Sequence, residues 1–115
     1  MKHSGQKEKT MANFCVFGGA AKGTSEQFSN DAETVGRMLA ARGHKLIYGG
    51  GRTGLMGAVS GGALEACGYV HGIIPYFLES LEVGNHQVQK LDVVENMHER
   101  KAKMYVEADG FIVLP

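Results

Sequence analysis

A chain of 115 residues with 43% apolar and 21% charged residues is long enough to bury one core and too short for a second domain of ordinary size. Twelve Lys plus Arg balance twelve Asp plus Glu, so no overall field draws the chain to nucleic acid or to an anionic membrane, and a bound phosphate has to be met locally. Two cysteines, Cys15 and Cys67, provide neither a disulfide framework nor a thiolate zinc site.

The first twelve residues, MKHSGQKEKTMA, are polar and basic, lack the apolar core of a secretory signal, and read as a disordered tail before a domain at 13–115. No apolar stretch reaches the roughly 18 residues of a membrane span, and a cytoplasmic location is expected. Asn13 to Phe17 ends abruptly in Gly18 and Gly19, as a buried strand does on entering a turn. Behind Thr24 or Ser25 as cap, Phe28, Ala32, Val35 and Leu39 recur at helical spacing, and Gly43 closes this first helix. Lys45 to Tyr48 reads as a second strand and Leu55 to Ala66 as a second helix with a stripe at Met56, Val59, Ala63 and Ala66.

Tyr69 to Ile74 reads as a third strand stopped by Pro75, and Leu91 to Val94 as a short fourth. A third helix is expected over Met97 to Ala108, with Asn96 and Glu99 as a capping box. Phe111 to Leu114 forms the last strand. Strands alternating with helices in this way predict an α/β, Rossmann-like domain: a mainly parallel sheet with helices on both faces.

Gly49-Gly50-Gly51-Arg52-Thr53-Gly54 matches G-x-G-x-x-G between a strand and a helix. In that context glycines bring backbone N–H groups close to a phosphate and the helix N-terminus favours the anion; the competing reading is a tight turn and nothing more. Glycine inside a helix costs roughly 1 kcal/mol relative to alanine. Close packing against the sheet is the expected compensation at Gly61 and Gly62, while Gly57 also clears space for a ligand. The strand that follows carries His71, Gly72 and Pro75 where a dinucleotide site wants a ribose-binding carboxylate, which argues against NAD. The loop Gly18 to Thr24 has its lysine before the last glycine and is no P-loop, although it belongs beside the other glycine turn at the carboxyl edge of the sheet.

In Met97-His98-Glu99-Arg100-Lys101-Ala102-Lys103-Met104, Met97, Lys101, Met104 and Ala108 share one helical stripe with Arg100 on its edge. Cations bordering a core call for an anionic partner, a phosphate or an acidic side chain. The five histidines, at 3, 44, 71, 86 and 98, show no metal-ligand spacing, and no Ser/His/Asp or Cys/His set assembles. Tyr48 and Tyr76 are candidates for stacking on a base, with core packing the commoner role.

YGGGRTGLMGAV at Tyr48 to Val59, GIIP at Gly72 to Pro75 and MHERKAKM at Met97 to Met104 together resemble the Lonely Guy (LOG) family of cytokinin riboside 5′-monophosphate phosphoribohydrolases, from about Asn13 to Pro115. The resemblance implies a Rossmann-like homodimer that hydrolyses the N-glycosidic bond of an N6-modified adenosine 5′-monophosphate to free base and ribose 5-phosphate, with no metal or organic cofactor. It implies that Gly49, Gly50, Gly51, Thr53, Gly54 and Gly57 lie at the phosphate and ribose. Met97 and Lys101 then line the pocket with Arg100, the catalytic arginine.

Two departures stand out. The family's Gly-Ser-Ser after strand one is Gly19-Ala20-Ala21 here. The family also continues after a strand like Phe111 to Pro115 with Gly-Gly-x-Gly-Thr-x-x-Glu, whose glutamate is the second catalytic residue. The chain is therefore expected to be a C-terminally incomplete fragment, inactive alone. The alternatives are a nucleotide or molybdenum-cofactor carrier of similar fold and a truncated subunit that joins a complete partner. Lysine decarboxylation, a label given to relatives, needs pyridoxal phosphate and a supporting constellation that the sequence does not show.

Overall fold

The computed structural model describes residues 11–18, 26–52, 54–79 and 84–114. Residues 1–10 of the tail expected over 1–12, the Gly19 to Thr24 loop, the Thr24 and Ser25 caps, Thr53 and Pro115 lie outside them, while Ala12 is hydrogen-bonded to His44 and Lys45. Five strands, β1 (Asn13–Gly18), β2 (Lys45–Tyr48), β3 (Val70–Pro75), β4 (Lys90–Val94) and β5 (Gly110–Leu114), form one sheet in the order β4-β3-β2-β1-β5. Every pairing is parallel. The helices are α1 (Glu26–Ala41), α2 (Gly54–Glu65), the single turn α3 (Tyr76–Glu79), and α4 (Met97–Glu107). This is the expected α/β, Rossmann-like architecture, with α3 the one element the periodicity does not announce.

Alternation along the central strands sends side chains to two cores. Val16, Leu46, Tyr48 and Val70 pack with Ala32 and Leu39 of α1 and Val59 and Ala63 of α2. On the other face Cys15, Ile47, Ile73 and Val94 meet α4 through Met104 alone among its residues. At the α1–α2 contact, a Cβ on Gly36 would collide with the carbonyl of Val59, and one on Gly62 with the carbonyl of Glu33. Gly62 therefore compensates its helical cost by admitting another helix, which corrects the expectation of packing on the sheet. Gly61 corrects it further, because a Cβ there meets nothing within 4 Å.

Local signals set the element ends. Gly43 closes α1 with φ +78°, a left-handed turn that costs a side-chain-bearing residue energy. Asn96 caps α4, its side chain accepting from Glu99 N at 2.8 Å. The Glu99 carboxylate reaches back one residue further than a standard capping box, to Glu95 N at 2.6 Å. Pro75 is the last residue of β3, paired with Val94, where its missing N–H interrupts nothing.

Candidate functional site

Parallel strands bring the carboxyl ends of β1 and β2 together beneath the N-terminal part of α4. Between them lies a cavity of about 220 Å³. Phe17, Met56, Met97 and Met104 give it apolar, polarisable walls, Gly18 and Gly49 its floor, and Arg100 and Lys101 its charge. Four residues singled out in the sequence, Gly49, Met97, Arg100 and Lys101, thus meet in one place.

Arg100 is the most constrained of them. Its Nε donates to the carbonyl of Ile73 at 2.9 Å, one terminal nitrogen donates to the carbonyl of Gly49, and the other lies 3.5 Å from Sδ of Met97. A Cβ on residue 49 would run into the guanidinium, so glycine there gives the arginine its seat. Among the described residues no carboxylate pairs with Arg100. Of the two anionic partners expected, an acidic side chain is not the one that meets it; neutral carbonyl oxygens hold the group in place and leave its charge uncancelled. Burial pulls the guanidinium below its ordinary pKa, a pull opposed by Cys15; the group remains a cation. Burial likewise pushes the Cys15 thiol up to about 11, against the pull of Arg100, so the thiol stays protonated at neutral pH. Lys101 is exposed at the cavity mouth.

The other glycines of the turn are placed differently. Gly50, with φ +85°, would drive a Cβ against Ile74 and Leu91, and its own Cα limits Gly72. Gly51 forms an antiparallel bridge with Gly84 and accepts the Tyr48 hydroxyl at 2.7 Å. Tyr48 is fully buried, a core residue rather than a stacking platform. Gly54, with φ +66°, opens α2. Thr53 lies outside the described residues.

Gly57 lines a second cavity of about 590 Å³ with Arg52, Gly61, Glu79, Asn85 and His86, but its missing side chain makes room for the Arg52 backbone carbonyl, which corrects the expectation that it clears space for a ligand. Sequence reasoning passed over this cavity. Asn85, buried, ties the β3–β4 connection to the glycine turn by donating its N–H to the Gly50 carbonyl at 2.8 Å. Its side-chain amide meets Ser60 Oγ at 3.3 Å, and Glu79 pairs with His86 at 2.9 Å. The Gly84-Asn85 pair, a turn dipeptide, was the signal available. Among the described residues no group of His, Cys, Asp or Glu has the arrangement of a metal site, and no helix is long and apolar enough to cross a membrane.

A family model described as "Possible lysine decarboxylase" matches residues 56–115. The chain belongs to this family, the LOG family. It is 40% identical over 111 residues to the cytokinin riboside 5′-monophosphate phosphoribohydrolase LOG of Oryza sativa subsp. japonica, covering 96% of this chain and 46% of that protein. It is also 40% identical over 113 residues to the cytokinin riboside 5′-monophosphate phosphoribohydrolase of Rhodococcoides fascians, covering 97% and 57%. The chain spans about half the length of the curated relatives it matches.

Among solved structures, TM1055 superposes with a TM-score of 0.72 at 28% identity, covering 90% of this chain and 60% of that one. The molybdenum cofactor binding protein of Rippkaea orientalis superposes with 0.76 at 22% identity, covering 90% and 62%. The latter likeness is one of fold.

Proposed function

We propose that this LOG-family chain carries the base-binding half of a nucleoside 5′-monophosphate phosphoribohydrolase. Its reaction is hydrolysis of the N-glycosidic bond of N6-modified adenosine 5′-monophosphate to free base and ribose 5-phosphate. The observation that carries the reading is Arg100: a half-buried cation, held by carbonyls and unpaired with any carboxylate among the described residues, beside a methionine-lined slot at the carboxyl edge of the sheet. The Phe17 ring and the polarisable side chains of Met56 and Met97 suit a purine. A fixed cation next to the departing base stabilises the charge that base acquires as it takes the electrons of the C1′–N bond; water supplies the new hydroxyl at C1′, and the proton it gives up is the one the free base carries. Gly49, Gly50, Gly51, Thr53, Gly54 and Gly57 belong, in this reading, to the phosphate and ribose side, with Met97 and Lys101 at the base. Assembly as a homodimer and a cytoplasmic location are part of the same proposal.

The test is chromatographic detection of free base from N6-isopentenyladenosine 5′-monophosphate, using the protein its gene encodes. Arg100→Ala is expected to reduce base release at least 100-fold, the order seen when a preorganised electrostatic group is removed, with a modest fall in the denaturation midpoint because the Ile73 and Gly49 carbonyls lose their donor. Full activity in that variant refutes the assignment. Tight ligand binding without base release in the parent favours the carrier reading instead.

A further inference from the structure

Successive glycines support themselves poorly, because glycine loses more conformational freedom on folding than any other residue. The turn that seats Arg100 is such a stretch, and its order comes from outside it. Three consecutive carbonyls of the turn accept from three different parts of the fold. That of Gly49 accepts from the Arg100 guanidinium of α4, that of Gly50 from the backbone N–H of Asn85 at 2.8 Å, and that of Gly51 from the Tyr48 hydroxyl at 2.7 Å. The bridge between Gly51 and Gly84 lies in the same strip of backbone. From the other side Gly50 is pressed on β3, where a Cβ on Gly72 would lie 2.8 Å from the Gly50 Cα.

Two of these donors belong to one buried polar cluster that the proposed chemistry does not use. Tyr48 ends β2, Ser60 lies on α2 and Asn85 in the β3–β4 connection, and all three are buried. Asn85 Nδ2 donates to Ser60 Oγ at 3.3 Å, Ser60 Oγ donates to the Gly57 carbonyl at 3.1 Å, and Asn85 Oδ1 accepts from Gln87 N at 3.0 Å. The Asn85 side chain is thus held at both ends of its amide, which aims the backbone N–H of the same residue at Gly50. Burial raises the pKa of the Tyr48 phenol, a push opposed by its hydrogen bonds with Ser60 and Asn85, so the hydroxyl stays protonated and remains a donor at neutral pH. Buried polar groups have to be satisfied from within the protein, and here that satisfaction extends to the glycine carbonyls.

Peptide units are planar, so orienting the carbonyls of Gly50 and Gly51 fixes the planes that follow Gly49 and restricts how far its own carbonyl can swing from the guanidinium. We propose that Tyr48 and Asn85 are positioning residues for Arg100: by fixing the two carbonyls after Gly49 they hold the Gly49 carbonyl where it anchors the guanidinium at the candidate site. Neither lines the cavity that holds Arg100; both act through the backbone of the turn. The functional meaning rests on the proposed role of Arg100, while the positioning itself is measurable without substrate.

Tyr48→Phe removes one donor and keeps the ring, and Asn85→Ala removes the amide that aims the other. In the ¹⁵N-labelled protein its gene encodes, the Arg100 Nε–H signal is expected to shift and to exchange faster with solvent in each variant, while the amide signals of α1 keep their parent positions. Base release is then measured in a double-mutant cycle. Each variant is expected to lower kcat roughly 10- to 100-fold with KM little changed, and to cause no further loss in an Arg100→Ala background. An Arg100 signal that stays at its parent position in either folded variant overturns the proposal, as does a shift spread equally over α1. An equal loss of activity with and without Arg100 also overturns it, because a merely structural role acts in both backgrounds. Asn85→Ala decides the matter if Tyr48→Phe does not fold. If the Arg100 signal responds as expected while Arg100→Ala keeps full base release, the positioning stands and the catalytic reading alone is lost.

Discussion

The two faces of the sheet are closed by different physics. Toward α1 and α2 the core is apolar and the helices touch backbone to backbone through Gly36 and Gly62. Toward α4 a single methionine is buried, and the helix is otherwise held by Arg100 on carbonyls and by charged groups on His71 and Asp92. Close packing tolerates little change in shape, whereas polar contacts yield to charge and pH. The candidate site lies where these regimes meet, between Met56 of α2 and Met97 and Arg100 of α4.

The contrast breaks most readily at Met104. Met104→Ala removes the one buried apolar anchor of α4 and is expected to cost roughly 3 kcal/mol, read as a lowered midpoint in urea; a loss below about 1 kcal/mol would mean that polar contacts alone seat the helix. Gly62→Ala is expected to destabilise by about 2 kcal/mol, because its methyl must displace a backbone carbonyl of α1. Gly61→Ala, one residue away and facing open space, is expected to stabilise by up to about 1 kcal/mol. Equal effects from the two substitutions would refute the helix-to-helix contact.

The smallest effect sharpens the comparison by pH. Asp92 has its pKa lowered in the folded chain, so the folded state favours the carboxylate. That stability is present above the unfolded value of about 4 and is lost as pH falls through the lower folded value. Asp92→Asn is expected to flatten this acid limb of a stability profile. An unchanged limb would show that the His71 contact adds nothing.

Much of this was legible in the chain order. Alternating apolar runs and glycine stops gave the five strands and three of the helices within a residue or two, because a parallel sheet buries both faces of its strands and leaves punctuation only at their ends. The single turn α3 carried no helical period to read. Of the site, the MHERK segment identified Arg100 and Lys101, since cations beside a core-facing stripe are costly enough to demand a reason. The spacing did not announce the carbonyls that hold Arg100, because backbone carbonyls leave no trace in a sequence.

The sequence by itself determined the fold class, since strand and helix periods are local; its motifs resembled the family to which the chain belongs, and its charge pattern singled out Arg100. Only the tertiary structure decided that the glycine turn divides, with Gly49 seating Arg100, Gly50 and Gly51 packed against β3 and Gly84, and Gly57 lining a separate cavity. It alone set His71 between Asp92 and Glu107. The physical reason is register: parallel strands joined by helical crossovers bring together residues 21 and 36 positions apart, and no local pattern encodes which of them will face one another.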